Sequence, residues 1–145
     1  MTDVAEQVAP RGAVPGCDAI HHLSLTVTDV DASRAWYQRV LGLEHVMTEE
    51  HTGGYAVVMN RPGRGVFIGL THREATVPQS FAETRTGLDH VALHVSARSD
   101  LDRWVAHLDA QGVRHSDVSE VNDPFPYALV VFRDPDNIQL EVMWT

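Results

Sequence analysis

Apolar and polar residues alternate with a period of two in the segment 20–28, and the same pattern returns in the segment 88–96. A period of two places the two sets of residues on opposite faces of a strand. The polar faces consist of His22, Ser24 and Thr26 in the first segment, and of His90, Ala92 and His94 in the second. His22 and His90, which head the two segments, are 68 residues apart. The repeated pattern indicates that the chain contains two copies of one unit.

A helical pattern follows each of these strands. In the first unit, apolar residues recur at helical spacing after Asp29 or Asp31, either of which can cap the helix, and Gly42 ends it. In the second unit, the helix starts near Ser99 or Asp100 and ends at Gly112. The remaining strand-like segments are 43–50, 55–60 and 66–72 in the first unit, and 113–121, 127–133 and 138–144 in the second.

The order of these elements predicts an α+β fold of two tandem β-α-β-β-β modules. We expect their eight strands to form a curved, half-open, barrel-like sheet. Module 1 covers about residues 20–72, a polar linker covers 73–86, and module 2 covers about 87–145. Because a unit of about 60 residues buries little surface alone, residues 19–145 are expected to form one domain. Residues 1–18 carry several prolines and glycines and are expected to form a flexible tail.

Three residues are candidates for a metal site. His22 and His90 stand at the head of equivalent strands, and Glu141 is the only carboxylate inside the final strand. Imidazole and carboxylate groups from separate strands are typical ligands of divalent transition metals. Each residue also has an ordinary interpretation, as a strand histidine or a surface carboxylate. Their equivalent positions in the repeat favour a shared metal site.

Composition excludes several other classes of protein. The net charge is −9, and no basic stripe is present that would follow a nucleic-acid backbone. Cys17 is the only cysteine, so an internal disulfide and a thiolate zinc cluster are excluded. No apolar run approaches the roughly 20 residues that cross a bilayer, and the first residues do not resemble a signal peptide. The expected location is therefore the cytoplasm.

The chain resembles the vicinal oxygen chelate superfamily from about residue 20 to residue 144. Besides the two modules, the resemblance rests on Trp36-Tyr37-x-x-Val40-Leu41-Gly42-Leu43 at the end of the first helix and on Asp134-Pro135-Asp136-Asn137-Ile138-Gln139-Leu140-Glu141 near the C-terminus. The superfamily includes glyoxalase I, extradiol dioxygenases, methylmalonyl-CoA epimerases, fosfomycin-resistance thiol transferases and bleomycin-binding proteins that need no metal. The resemblance therefore implies the fold more strongly than any one reaction.

The resemblance places the family's metal ligands on His22, His90 and Glu141. Glyoxalase I has a further glutamate in the last strand of the first unit, where this chain has Gly69. Since glycine cannot ligate, two histidines and one carboxylate remain, which is the ligand count of the thiol transferases and the extradiol dioxygenases. His72 could supply a fourth ligand, although strand alternation puts it on the opposite face from Gly69.

The resemblance implies a metal-dependent enzyme that binds two neighbouring oxygens of a small metabolite. Dioxygenase-like or lyase/isomerase-like chemistry fits best, because the arginines that a phosphonate-binding thiol transferase would need look scattered and lysine is absent. Fe²⁺ is the favoured metal, with Zn²⁺, Mn²⁺, Co²⁺ or Ni²⁺ as alternatives. A proton-transferring enzyme would need a base, and His94 is the candidate, four residues past His90 on the same strand face.

The alternative is a metal-free protein that binds and sequesters a small molecule, as bleomycin-resistance proteins do. Such a protein needs an apolar, aromatic trough, and the candidate lining residues are Tyr55, Phe67, Phe81, Phe125, Tyr127 and Met143. In either case the expected partner is a small molecule rather than nucleic acid or a membrane. The resemblance also implies a homodimer, because such modules often pair between chains.

Overall fold

The computed structural model describes residues 15–145, which form two helices and eight strands in the predicted order. The strands are β1 Leu23–Thr26, β2 Glu44–His51, β3 Gly54–Asn60, β4 Phe67–Arg73, β5 Val91–His94, β6 Ser119–Val121, β7 Tyr127–Arg133 and β8 Gln139–Trp144; the helices are α1 Val30–Leu41 and α2 Ser99–Ala110. Residues 1–14 of the predicted tail lie outside the described residues. The rest of that tail, residues 15–18, is exposed and has no regular structure.

Both ends of α1 follow the predicted capping chemistry. Asp29 is the N-cap, and its side chain accepts a hydrogen bond from the backbone N–H of Ala32 at 2.9 Å. Gly42 ends the helix with a positive φ of 66°, a conformation that costs a side-chain-bearing residue energy. The choice between Asp29 and Asp31 is therefore resolved in favour of Asp29.

Three strands are shorter than predicted by more than one residue. β1 and β5 each keep four residues because they lie at a sheet edge and pair with one neighbour only. β6 keeps three residues, although the sequence predicted a strand over 113–121. An isolated bridge between His115 and Phe132 precedes β6, so the chain runs beside β7 before regular pairing begins.

The strands form two mixed sheets of four, ordered β1-β4-β3-β2 and β5-β8-β7-β6. In each sheet the first strand pairs in parallel with the last strand of its own module, and the other pairs are antiparallel. The sheets are not closed into a barrel, as the prediction of a half-open architecture requires. The α+β fold of two tandem β-α-β-β-β modules is therefore confirmed.

The two modules pack against each other on the side of the sheets that carries the helices. Trp36 of α1 and Trp104 of α2 both lie with ring centroids 6.3 Å from that of Phe132. The Nε2 atom of His107 in α2 lies 2.9 Å from the carbonyl oxygen of Val40 in α1. Buried apolar residues of both modules belong to one hydrophobic cluster. The tryptophans thus serve helix–sheet packing.

Two buried aspartates in the β7–β8 turn tie module 1 to module 2. Asp134 accepts hydrogen bonds from the Tyr37 hydroxyl at 3.0 Å and from the N–H groups of Asp136 and Ile138 at 2.9 and 2.8 Å. Asp136 accepts from the hydroxyl and the N–H of Thr28 at 2.5 and 3.1 Å. Burial raises the pKa of Asp134 to about 6, although the donors around the carboxylate oppose that shift.

The segment between β4 and β5 has no regular structure but lies against module 2. The side chain of Phe81 packs against the core cluster, and its backbone bonds to Asp136 and Asn137. Glu83 forms an ion pair with Arg133, which lowers the pKa of Glu83 to about 2. Within residues 15–145, neither helix has the length and apolar character required to span a bilayer.

Candidate functional site

Each sheet has one face turned away from the helices, which we call the trough face. Residues of β1 and β5 on this face, Ser24, Thr26, Ala92 and His94, are all exposed. Their neighbours in sequence on the helix side, including Leu25 and Leu93, are buried or half-buried. Within one chain, the trough-face residues of β1 and β5 are therefore open to solvent, whereas Thr71 of β4 and Glu141 of β8 on the same faces are buried.

The strand register supports the predicted equivalence of Gly69 and Glu141. In module 1, Ser24 of β1 is paired with Gly69 of β4. In module 2, Ala92 of β5 is paired with Glu141 of β8. Ser24 and Ala92 are 68 residues apart, as are the two repeated histidines. Gly69 thus occupies in module 1 the position that a carboxylate occupies in module 2.

His90 and Glu141 lie together on the trough face of module 2. The Nε2 atom of His90 is 3.7 Å from Oε2 of Glu141, and Glu141 is only 8% exposed. The other ring nitrogen of His90, Nδ1, is 2.6 Å from the carboxylate of Asp89. The hydrogen bond with Asp89 raises the pKa of His90, and the charge of Glu141 acts in the same direction against desolvation.

This arrangement fits a divalent cation. A metal about 2.0 to 2.2 Å from each ligand holds adjacent donor atoms roughly 3 to 4 Å apart, and the Nε2–Oε2 separation is within that range. A hydrogen bond from Nδ1–H to a carboxylate fixes the imidazole tautomer whose Nε2 carries the free lone pair. Asp89 occupies that supporting position beside His90.

His22 lies on the trough face of module 1 and has a different neighbour. Its Nδ1 atom is 2.9 Å from Nδ1 of His21, and the His21 ring stacks on Phe67 with a centroid distance of 5.9 Å. As in His90, the residue immediately before the histidine occupies Nδ1. The Nε2 atom of His22 is thus the one left to bind a ligand.

One chain does not gather the three predicted ligands. Across residues 15–145, no group of three His, Cys, Asp or Glu side chains is close enough to hold a metal ion. The structure brings His90 and Glu141 together, whereas His22 contacts His21 instead. A single chain therefore supplies two separate parts of the predicted site.

Ser24 blocks the position of a side chain at residue 69. A Cβ atom added to Gly69 would lie 2.9 Å from Oγ of Ser24 and 3.4 Å from its Cβ. Oγ of Ser24 is held by a hydrogen bond of 2.7 Å to the Thr71 hydroxyl. Glycine at 69 and serine at 24 are thus sterically coupled, and no carboxylate fits here without a change at both positions.

We expect Gly69→Ala to destabilise the protein by about 1 kcal/mol, because the new methyl group displaces Ser24 from Thr71. The matched double variant Ser24→Ala/Gly69→Ala removes the obstructing hydroxyl and should recover most of that loss. Urea unfolding of the wild type and the three variants, including Ser24→Ala, measures both effects. Equal destabilisation by Gly69→Ala in the presence and absence of the Ser24 hydroxyl would contradict this explanation.

The other two candidate histidines are placed as alternation predicts. His72 lies on the opposite face from Gly69, where its ring is 5.3 Å from that of Tyr55, a residue packed on the core. His94 is the last residue of β5 and is exposed. Four residues of strand span about 13 Å, so His94 lies about that far from His90 along the strand. A reacting group that His94 contacts must extend over this distance from His90. The role of His94 in proton transfer stays a prediction.

The aromatic residues suggested for an apolar trough do not share one surface. Tyr55 and Phe81 pack against the core on the helix side. Phe125 is 55% exposed and lies beside Tyr127 with ring centroids 5.9 Å apart. These positions give the metal-free sequestering alternative less aromatic lining than the sequence suggested.

Two residues of the site were missed by the sequence reasoning. Asp89 hydrogen-bonds to His90, and Gln139 donates from Nε2 to Oε1 of Glu141 at 3.3 Å. Each had a usable signal in the sequence: an acid directly before the histidine, and an amide two residues before the glutamate on the same strand face. Both orient a predicted ligand rather than replace it.

A protein-family model described as "Glyoxalase/Bleomycin resistance protein/Dioxygenase superfamily" matches residues 19–142. Among curated proteins, the uncharacterized YqjT of Bacillus subtilis (strain 168) is 26% identical over 133 residues, which cover 86% of this chain and 97% of that protein. The uncharacterized YaeR of Escherichia coli (strain K12) is 28% identical over 130 residues, covering 88% and 96%.

Solved structures show the same fold. A glyoxylase/bleomycin resistance protein/dioxygenase domain from Frankia sp. EAN1pec is 32% identical with a TM-score of 0.79, over 89% of this chain and 98% of that one. The fosfomycin resistance protein FosX from Listeria monocytogenes, complexed with Mn(II) and sulfate, is 16% identical with a TM-score of 0.64, over 90% and 94%. At that identity, the likeness to FosX shows the fold alone.

Proposed function

Because the chain belongs to the glyoxalase/bleomycin resistance protein/dioxygenase superfamily, we propose that it is a metal-dependent enzyme that acts on a small oxygenated metabolite. His22, His90 and Glu141 are its metal ligands. The metal is a divalent transition ion, with Fe²⁺ favoured and Zn²⁺, Mn²⁺, Co²⁺ or Ni²⁺ as alternatives. The reaction is of the dioxygenase or the lyase/isomerase type.

The geometry around His90 carries this proposal. A half-exposed histidine that approaches a buried glutamate to 3.7 Å, with its other nitrogen held by an aspartate, has the form of a supported metal ligand. A structural histidine has no need of two carboxylates. Without a cation, the carboxylate of the nearly buried Glu141 has the Gln139 amide at 3.3 Å and the His90 ring at 3.7 Å to offset its desolvation.

The residues of the trough have different roles in the proposed site. Asp89 keeps the Nε2 lone pair of His90 available, and Gln139 orients the Glu141 carboxylate. A cation bound there would act as a Lewis acid towards two neighbouring oxygens of the substrate. Because Gly69 supplies no fourth ligand, coordination positions remain free for both oxygens. His94 contacts the part of the substrate that lies further along β5.

The active form that we propose is a homodimer in which each site combines two chains. His22 of one chain joins His90 and Glu141 of a second copy, since one chain holds these groups apart. The trough-face residues of β1 and β5 are exposed in one chain. Module 1 of one copy is equivalent to module 2 in strand order. The two modules can therefore close over a shared trough between chains.

The exposure of β2 supports the same arrangement. Seven of its eight residues are exposed on both faces of the strand, including Val46 and Met47, which are 53% and 48% exposed. A strand that is uncovered on both sides and carries apolar side chains is a typical contact surface for another chain. A second copy would cover it where the trough closes.

We expect the purified protein to bind about one equivalent of a divalent transition metal per chain. His90→Ala and Glu141→Gln each remove one ligand, so both variants should retain less than about a tenth of an equivalent. Elemental analysis after purification, followed by titration with Fe²⁺, Zn²⁺ and Mn²⁺ under anaerobic conditions, measures this directly. The matched control is Glu74→Gln, which makes the same chemical change at an exposed position just after β4.

Wild-type metal content in Glu74→Gln, together with loss in both ligand variants, would support the proposal. If the wild type neither contains nor binds a transition metal, the metal-dependent function is wrong. A metal-free sequestering protein would then be the better interpretation. Equal metal content in the wild type and Glu141→Gln would exclude Glu141 as a ligand.

A further inference from the structure

A second concave site lies between the two modules on the helix side, away from the trough. This cleft has a volume of about 650 Å³, within the range of roughly 300 to 1,000 Å³ that is typical of small-molecule sites. Apolar side chains form its floor, among them Leu43, Leu93, Trp104 and Val142. The floor therefore offers a surface for an apolar or aromatic group.

Arginines surround the rim of this cleft. Of the 11 basic residues in the chain, four line it, namely Arg39, Arg61, Arg64 and Arg103, and the only carboxylate in the lining is Asp100. Asp100 bonds to Arg103 at 3.2 Å, and Arg39 bonds to Gln111. Arg61 and Arg64 have no side-chain partner among the described residues. In a protein of net charge −9, such a concentration of positive charge selects for anions.

The repeat contains a position equivalent to this cleft, where different residues meet. Thr28 and Ser96 are equivalent, being 68 residues apart. Leu140 of β8 and Ile68 of β4 occupy matching registers in the two sheets. Asp136 lies four residues before Leu140 and Arg64 lies four residues before Ile68, so Asp136 and Arg64 are equivalent. In one half, the carboxylate of Asp136 accepts both the N–H and the hydroxyl of Thr28. In the cleft, Arg64 takes the place of that carboxylate, and Ser96 takes the place of Thr28.

The equivalent pocket keeps a volume of about 400 Å³ and is lined in part by the β4–β5 segment. Its lining includes Thr28, Asp136 and Ile138, together with Phe81 and other residues of the β4–β5 segment. Phe81, whose backbone N–H donates to the backbone carbonyl of Asp136 at 2.8 Å, thus provides an apolar body in this pocket. In the arginine-lined cleft, the described residues provide neither an aromatic plug nor a carboxylate at the corresponding places.

We propose that the arginine-lined cleft binds a small organic anion, whose carboxylate or phosphate group contacts Arg61, Arg64 and Ser96 while its apolar body lies on Trp104. Two arginine forks and a hydroxyl supply charge-assisted hydrogen bonds to such a group. The ligand thus supplies an acidic group and an apolar body, as Asp136 and Phe81 do in the equivalent pocket.

The cleft is separate from the proposed metal ligands His90 and Glu141, although His94 also lines it. Its floor uses Leu93 and Val142, whose neighbours Ala92 and Glu141 point to the opposite, trough face of the same strands. A ligand can therefore occupy the cleft whether or not the trough holds a metal. This inference stands independently of the proposed enzymatic function.

Isothermal titration calorimetry of the full chain tests the inference with phenyl phosphate and phenylacetate, which distinguish the two head groups. We expect saturable binding of at least one of them, weakened by added salt because the contacts are ionic. Inorganic phosphate lacks the apolar body and phenol lacks the charge, so each should bind at least about tenfold more weakly than the better probe.

The variant Arg61→Ala/Arg64→Ala should weaken binding at least about tenfold. Its matched control, Arg34→Ala/Arg73→Ala, removes the same charge from exposed positions outside the cleft and should stay within about twofold of the wild type. Glu141→Gln should bind equally well. The proposal is overturned if neither probe binds, if both double variants lose affinity equally, or if Glu141→Gln abolishes binding, which would place the anion in the trough.

Discussion

A mixture of His22→Ala and His90→Ala chains is expected to recover metal binding that neither variant shows alone. In a site shared by two chains, the mixed dimer keeps one intact set of ligands: His22 from the His90→Ala chain, and His90 with Glu141 from the His22→Ala chain. Random exchange of equal amounts makes half of the dimers mixed, each with one of two sites intact, so about a quarter of the wild-type metal content should return. Elemental analysis of the exchanged mixture, with native mass spectrometry to confirm mixed dimers, gives the measurement.

The matched control is a mixture of His90→Ala and Glu141→Gln chains. Both changes affect the same half of the site, so every combination in the mixed dimer lacks a ligand and no metal should return. If His22→Ala with His90→Ala also recovers nothing although mixed dimers form, the site is not shared between chains. Recovery in both mixtures would show that the metal is held by other residues.

Replacing Asp134 by alanine is expected to lower the free energy of unfolding by about 3 to 5 kcal/mol. The substitution leaves the buried Tyr37 hydroxyl and the N–H groups of Asp136 and Ile138 without their acceptor. It also opens the turn that holds Asp136 against Thr28. Since a domain of this size has only about 5 to 15 kcal/mol of stability, the loss is large. Urea unfolding followed by far-ultraviolet circular dichroism measures it.

Tyr37→Phe is the control for this second experiment, because it removes one of the three donors and leaves the carboxylate in place. Its expected cost is about 1 kcal/mol. If Asp134→Ala is too unstable to purify, the position of Tyr37→Phe relative to the wild type still tests the network. A cost below about 1 kcal/mol for Asp134→Ala would show that the turn does not join the modules energetically.

The order of the elements was predictable from the sequence because local chemistry determines it. The alternating pattern of β1, the Asp29 cap and the Asp134–Asn137 turn each act within a few residues. Strand length was less predictable where pairing is one-sided, as in β6, because a neighbouring strand decides where a strand ends. Periodicity assigns a side chain to a face but does not identify what covers that face.

The candidate site could be predicted in part for the same reason. The pairing of His90 with Glu141 follows from the register of two neighbouring strands. The separation of His22 from them depends on how the modules pack, which rests on distant contacts such as Tyr37 with Asp134. The four arginines of the cleft come from three separate segments, which are α1, the β3–β4 loop and α2. They look scattered along the chain and come together only in the folded protein.

The β4–β5 segment makes the two copies unequal. A tandem duplication joins two identical units by a single connection, and here that connection lies with Phe81 at the pocket between Thr28 of module 1 and Asp136 of module 2. The two modules therefore differ in their surroundings because one connection joins them, even when their residues are identical. Evolution can then alter the loop that carries Arg61 and Arg64 without disturbing His90 and Glu141, the proposed metal ligands, on the far side of the sheet. A duplicated scaffold of this kind can acquire a new specificity while its original chemistry stays intact.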